Sequence, residues 1–143
     1  MASKIKPVKS LEAYRAWALA HPFCQLCGKA HKDAEFDGFC LTNHHLVKWG
    51  RSDEPCNLLR LCWTPCHMVC EGLSVVNPDG VHAGDRYPKL TLGAALTLKR
   101  LRDPGEVDME RLAELRGYAL PVEEPVPQFW LDEYRRRRHV VSL

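Results

Sequence analysis

HHLVKWGRSDEPCNLLRLCWTPCHMVCEG, residues 44 to 72, is the stretch on which the fold turns. Leu46, Val47 and Trp49 give its first six residues, 44 to 49, the apolar content of a short strand, and Gly50 to Pro55 is turn material. Asn57 to Leu61 predicts a second strand paired with the first. Pro65 suits the first turn of a helix running to about Glu71, because the N–H it lacks is one that a helix start cannot use. Strand, turn, strand and helix in this order predict an α+β fold.

Working outward, Ser10 is placed to cap a helix reaching about His21, with Leu11, Tyr14, Trp17 and Ala18 on one face and Pro22 as its stop. Residues 23 to 43 are short and non-periodic, a knuckle and loop followed by a brief strand near Phe39 to Leu41. Downstream of Gly72, the run Leu73 to Val76 leads into the turn Asn77-Pro78-Asp79-Gly80. Helices are predicted over about Thr91 to Arg102 and Asp108 to Gly117. Pro121 to Pro127 reads as an extended linker, and QFWLDEYRRRRH begins as an amphipathic helix and ends in the basic run Arg135 to Arg138. That run is either a solvated end or an arm that contacts DNA. The resulting division is 1–22 N-terminal helix and arm, 23–90 core, 91–120 helical extension and 121–143 Pro-rich linker and basic tail.

The 143 residues are enough to bury a core without covalent staples. Lys plus Arg is 20 against 18 for Asp plus Glu, so neither a histone-like polycation nor an acidic solvating tail is encoded. Residues 1 to 72 hold nine basic and seven acidic side chains, and residues 73 to 143 hold eleven of each, which leaves the core half only mildly basic. Seven cysteines, at 24, 27, 40, 56, 62, 66 and 70, fall within fewer than fifty residues. Their odd count, and the absence of a signal-like start, argue against a disulfide framework and for a cytoplasmic chain with reduced thiols. No stretch approaches the roughly 20 apolar residues of a membrane span.

Cys24-x-x-Cys27 followed by Gly28 has the form of a zinc knuckle, and Cys62-x-x-x-Cys66 supplies a second pair thirty-five residues further on. Together they predict one four-cysteine zinc site; the competing reading is buried free thiols packed as small hydrophobes. Between the knuckles stand the adjacent His44 and His45, then Asn57, with His67 directly after Cys66. Taken singly, each has an ordinary explanation. The histidine pair could ligate structural zinc, Asn57 could cap a turn, and His67 could simply start a helix.

In this order, however, the residues resemble the HNH endonucleases of the ββα-metal class, whose pattern runs Cys-x-x-Cys, His-His or Asp-His with an aliphatic residue, Asn-Leu, and Leu-Cys-x-x-Cys-His. The resemblance covers about Phe23 to Gly72, roughly a third of the chain. It implies a ββα-metal core stapled by zinc on Cys24, Cys27, Cys62 and Cys66, flanked by the N-terminal helix and the C-terminal helical extension. It implies a DNA phosphodiesterase in which His45 is the general base, a role that neutral imidazole suits near neutral pH. His44 and His67 would hold a catalytic divalent ion, Mg²⁺ or Mn²⁺, with positions left open for substrate and water. Asn57 would tie the loop backbone and help orient the base. The three residues between Cys62 and Cys66, where the family usually has two, leave open whether Cys66 or Cys70 completes the zinc site. Cys40 and Cys56 read as core packing.

The implied partner is DNA, gripped by Lys29, Lys32, Lys48, Arg51 and Arg60 with Trp49 and Trp63 available for stacking. Small proteins of this kind often serve bacteriophages or mobile elements. The alternative of another class is a non-catalytic zinc-ribbon module that binds nucleic acid or protein.

Overall fold

In the computed structural model, residues 6–30, 41–73 and 87–141 are described, with side chains up to residue 138. The expectations on Phe39, Cys40, Lys32, Ser74 to Val76 and the Asn77-to-Gly80 turn lie outside the described residues. The architecture mixes helices with one small antiparallel sheet, as an α+β chain should.

Helix α1 spans Leu11–Leu19, and its N-cap Ser10 accepts a hydrogen bond from the Ala13 N–H at 3.1 Å. Trp17 is buried, whereas Leu11, expected on the same inner face, is exposed. Strand β1 (Leu41–His45) pairs with β2 (Leu58–Cys62) from Leu41 opposite Cys62 to His45 opposite Leu58. The first strand therefore ends where the sequence predicted it to begin. Leu46 and Val47 are buried, but in a bend: the Leu46 N–H goes to the Asn57 carbonyl, and both the N–H and C=O of Val47 bond to the Asn57 side chain. Their apolar character serves the core, and their backbone groups are satisfied without a ladder.

After β2, Trp63–His67 form one wide turn in which the Met68 N–H reaches back to the Trp63 carbonyl, and the three-residue spacer contains a cis Thr64–Pro65 peptide. Regular helix is confined to α2, Met68–Cys70, shorter than the predicted run from Pro65. Helix α3 (Leu92–Arg102) is capped by Thr91 and α4 (Met109–Arg116) by Asp108, with Gly117 closing α4 in the left-handed conformation. Residues 121 to 127 carry no regular structure, as three prolines dictate.

The C-terminal segment is the largest departure from expectation. Residues 128 to 141 form one helix, α5 (Gln128–Val141), that carries the whole Arg135-to-Arg138 run. Trp130 anchors it: the ring is 1% exposed, and its N–H donates to the Pro88 carbonyl at 3.0 Å. Helix α5 also lies against the first knuckle. At Gly28, φ is +81°, and an added Cβ would stand 3.1 Å from the Tyr134 carbonyl oxygen and 3.2 Å from its Cα. Gly28→Ala should therefore cost about 1–2 kcal/mol for the left-handed backbone alone, and more where α5 must shift. A urea titration checks this, with a variant as stable as wild type contradicting the contact.

Leu26, Leu59, Leu61, Leu96, Leu98, Leu112 and Leu115 are all 2% exposed or less and join the knuckle, sheet and helices in one core. A buried polar bracket runs beside it. Lys99, wholly buried, donates to Asp103 at 2.9 Å and Glu106 at 2.8 Å; Trp17 donates to Glu106, Gln25 to Asp103, and His21 lies 3.2 Å from Asp103. His21, Asp103 and Glu106 are close enough to suggest a cation site. The Lys99 ammonium already supplies that charge, so the group ties α1 and the knuckle to α3.

Candidate metal centre and active site

The two knuckles meet. The sulfurs of Cys24, Cys27, Cys62 and Cys66 all lie within 4.8 Å of one another, and every one of these residues is buried. The first pair sits on a tight turn in which the Gly28 N–H donates to the Cys24 carbonyl at 2.9 Å and the Cys27 N–H approaches the Cys24 sulfur at 3.4 Å. The second pair brackets the wide turn after β2. Cys66, not Cys70, completes the quartet, which settles the register that the longer spacer left open. Cys70 packs at the edge of the core, where burial pushes its thiol pKa up, and burial does the same to Cys56, to about 11.

The donor set passes a chemical test for metal. Burial alone would raise the Cys24 thiol, yet hydrogen bonding with the Cys27, Cys62 and Cys66 sulfurs outweighs it and holds the group well below its ordinary value. Cys66 is pushed the other way, by burial first and then by its neighbours. One thiolate can be sheltered by three thiols, but four buried thiolates need a cation. A cluster of four cysteine sulfurs with these spacings is compatible with structural zinc.

Next to the quartet, β1 presents its histidine pair to two different surroundings, as alternation along a strand requires. His44 faces α2, with its Nδ1 3.3 Å from Glu71 Oε1 and its ring 5.0 Å from that of His67. That nitrogen is buried and makes no hydrogen bond. Burial, then the charges of Lys48 and His67, pushes the His44 pKa down to about 3, so the ring is neutral and holds a lone pair. His67 is oriented by Thr42: the Thr42 hydroxyl donates to the Leu61 carbonyl at 2.8 Å, so its oxygen is left to accept the His67 Nδ1–H. His67 Nε2 lies 3.0 Å from Glu71 Oε1. Burial would raise the Glu71 carboxyl, but the Lys48 ammonium bonded to it dominates and keeps its pKa below the usual range. Three lone-pair donors, His44 Nδ1, His67 Nε2 and Glu71 Oε1, thus lie within 4.8 Å of one another. Two nitrogens and a carboxylate facing one another suit a divalent cation.

His45 points elsewhere. Its Nε2 bonds Asp53 Oδ1 at 3.1 Å, and its ring stacks on Tyr14 with centroids 6.1 Å apart. Burial lowers the His45 pKa, partly offset by Asp53. Asp53 is itself held by the N-terminal segment, since its second oxygen accepts the Ser10 N–H at 3.1 Å and its own N–H donates to Val8. Nε2 donating to the carboxylate leaves Nδ1 as a free base. Asn57, fully buried, accepts the Val47 N–H at 2.7 Å and donates to the Val47 and Ser52 carbonyls, clamping the loop between the strands.

The sequence pattern singled out His44, His45, Asn57, His67 and the four sulfurs; the fold gathers the sulfurs in one cluster and His44 and His67 in another, and leaves His45 and Asn57 outside both. It missed Glu71, although His67 and Glu71 at i and i+4 on a helical turn carry a signal. It also missed Asp53, whose loop position gives none. Of the side chains offered as a phosphate grip, Lys48 serves Glu71, and Arg60 donates to the His21 carbonyl and to Asn43, which makes it a bracket within the fold. Lys29 is buried. Arg51 and Trp49 are exposed, and Trp63, 38% exposed, stands edge-on to His67.

Fold and clusters together define a small α+β protein organised around a buried Cys₄ group fit for zinc. Comparison with protein-family models, with curated proteins and with solved structures finds no match to the chain. Among the described residues, no helix is long and apolar enough to cross a membrane.

Proposed function

We propose that the protein is a metal-dependent endonuclease of the HNH type that hydrolyses DNA phosphodiesters to 5′-phosphate and 3′-hydroxyl ends, with β1, β2 and α2 as a ββα-metal core. The observation that carries this reading is the buried, unpartnered His44 Nδ1 converging with His67 and Glu71, one residue from a second histidine whose free nitrogen is set by Asp53. A purely structural site has no use for that second, differently held imidazole.

In this reading His45 Nδ1 takes a proton from water as the water oxygen forms its bond to phosphorus, and the bond from phosphorus to the 3′ oxygen breaks. Asp53 stabilises the imidazolium that results. The departing oxygen takes its proton from solvent. A divalent ion, Mg²⁺ or Mn²⁺, on His44, His67 and Glu71 would neutralise charge on the phosphate and the leaving oxygen. Asn57 keeps Leu46 and Val47 turned away from the strand ladder, so that His44 and His45 stand at the end of β1. The Cys₄ group holds the end of β2 and the start of α2 in place.

Supercoiled plasmid incubated with Mg²⁺, Mn²⁺ or no added divalent ion tests the reading. The expected result is divalent-dependent nicking; DNA binding without nicking under every ion would favour the zinc-ribbon binding module instead. The ligand set has its own test by Mn²⁺ titration. Loss of groups that merely orient ligands costs roughly 10–100-fold in metal affinity, so Glu71→Gln should weaken Mn²⁺ binding by at least about tenfold while zinc content stays unchanged.

A further inference from the structure

Helices α3 and α5 enclose a groove of about 560 Å³ lined by Leu101, Arg102, Leu131, Tyr134, Arg135 and Arg138. Among the described residues, three guanidinium groups face it and no carboxylate does. The nearby acids are already engaged: Glu133 by Arg136 and Arg137, and Asp103 by Lys99 and Gln25. Two of the three arginines are held flat on aromatic rings, Arg102 at 3.5 Å from the Tyr134 centroid and Arg138 at 3.4 Å from that of Phe23. Stacking covers the faces of a guanidinium but leaves its N–H edges available, so these groups are oriented in advance. Among the described residues, Arg102 donates from Nε alone, to the Gln25 carbonyl. Arg135 and Arg138 make no hydrogen bond or ion pair among the described residues. Arg135 and Arg138 also share one helix face at i and i+3.

We infer that this groove is a second DNA-binding site, which takes the phosphate backbone of a duplex on Arg102, Arg135 and Arg138 with Leu101 and Leu131 against the sugars. Charge complementarity selects the occupant. Guanidinium edges match phosphate oxygens in pairs, and a groove with three such groups and no acid among its described lining residues favours a polyanion. The site is tied mechanically to the proposed active site. Tyr134 and Arg137 of α5 pack on Gly28, Gly28 follows Cys27, and the same Cys₄ group holds Cys66, which His67 follows directly. DNA lying in the groove is thereby held in a fixed relation to the scissile position. This inference rests on the endonuclease reading for its role, though not for the binding it predicts.

The test is fluorescence anisotropy of a labelled, random-sequence DNA duplex with the full chain, without added Mg²⁺ or Mn²⁺, over a series of salt concentrations. Arg135→Ala/Arg138→Ala should weaken binding about tenfold or more and reduce the slope of log affinity against log salt by about 1.8, the value for two lost phosphate contacts. Arg100→Ala/Arg136→Ala removes the same charge from arginines already paired with Glu123 and Glu133, and should change affinity less than about twofold. Should the double variant lose its fold through the Phe23 contact, Arg135→Glu alone, at an exposed position, must show the same direction of change. An unchanged affinity and salt slope would overturn the inference. An equal loss in the Arg100/Arg136 control would do so too, as would tighter binding of a polyglutamate peptide than of DNA with the same dependence on Arg135 and Arg138. Arginine-dependent binding without nicking would leave the groove standing and remove the endonuclease reading, whereas nicking with binding unaffected by the substitutions would do the reverse.

Discussion

Replacing His45 with alanine is expected to slow plasmid nicking by about 10²–10⁴-fold, the usual contribution of a positioned general base, while zinc content and circular dichroism remain those of the wild type. The reason for the selectivity is positional. His45 is partly exposed, contributes no sulfur to the Cys₄ group and is not among the donors that converge on Glu71. Its ring contacts are Asp53 and Tyr14, and Asp53 keeps its bonds to the N-terminal segment when the imidazole is gone. A His45→Ala protein that nicks at the wild-type rate would remove the imidazole from the mechanism. One that loses zinc or unfolds would mean that His45 is structural.

The second large effect concerns the sulfurs. Cys66→Ser should abolish stoichiometric zinc and, with it, the cooperative folded state, whereas Cys70→Ser should keep one zinc per chain. Structural zinc contributes about 10–16 kcal/mol of apparent binding free energy in small zinc modules near pH 7. That is of the same size as the roughly 5–15 kcal/mol by which a domain is normally stable. The Cys₄ group also sits where β2, the wide turn and the first knuckle meet, so losing it exposes the leucine core on several sides. Metal analysis of the two purified variants, with thermal melts, reads the outcome. Equal zinc in both would place Cys66 outside the ligand set.

How much of this was legible beforehand varies with the kind of information each residue carries. The helices at 11–19 and 109–116 follow from Ser10 and Asp108 as caps, and that at 92–102 from its periodic apolar positions, because a helix is specified by neighbours in sequence. The strands were placed less well. An apolar run such as Leu46-Val47 is compatible with a ladder or a buried bend, and the choice was made by Asn57, whose carbonyl holds Leu46 and whose side chain holds Val47, eleven and ten residues away. The end of the chain misled in the other direction. Four consecutive arginines read as either a solvated end or an arm that contacts DNA, but Trp130 buries the preceding turn and Phe23 and Gly28 receive the helix, contacts across a hundred residues that no local pattern encodes.

The site divides along the same line. Spacing by itself picked out the two cysteine pairs, because thiolate knuckles are local arrangements, whereas the roles expected of His44, His45, Asn57 and His67 came from the resemblance of their order to a known family. Only the tertiary structure decided that Cys66 rather than Cys70 joins the other sulfurs, that Glu71 faces His44 and His67, and that Asp53 holds His45. Each of these depends on how the wide turn after Cys62 and the loop from Gly50 to Pro55 direct a side chain in space. A ligand set is defined by distances of a few ångströms between atoms, and sequence separation fixes such distances only within a single turn of chain. Across a sheet or between a loop and a helix they are fixed by packing.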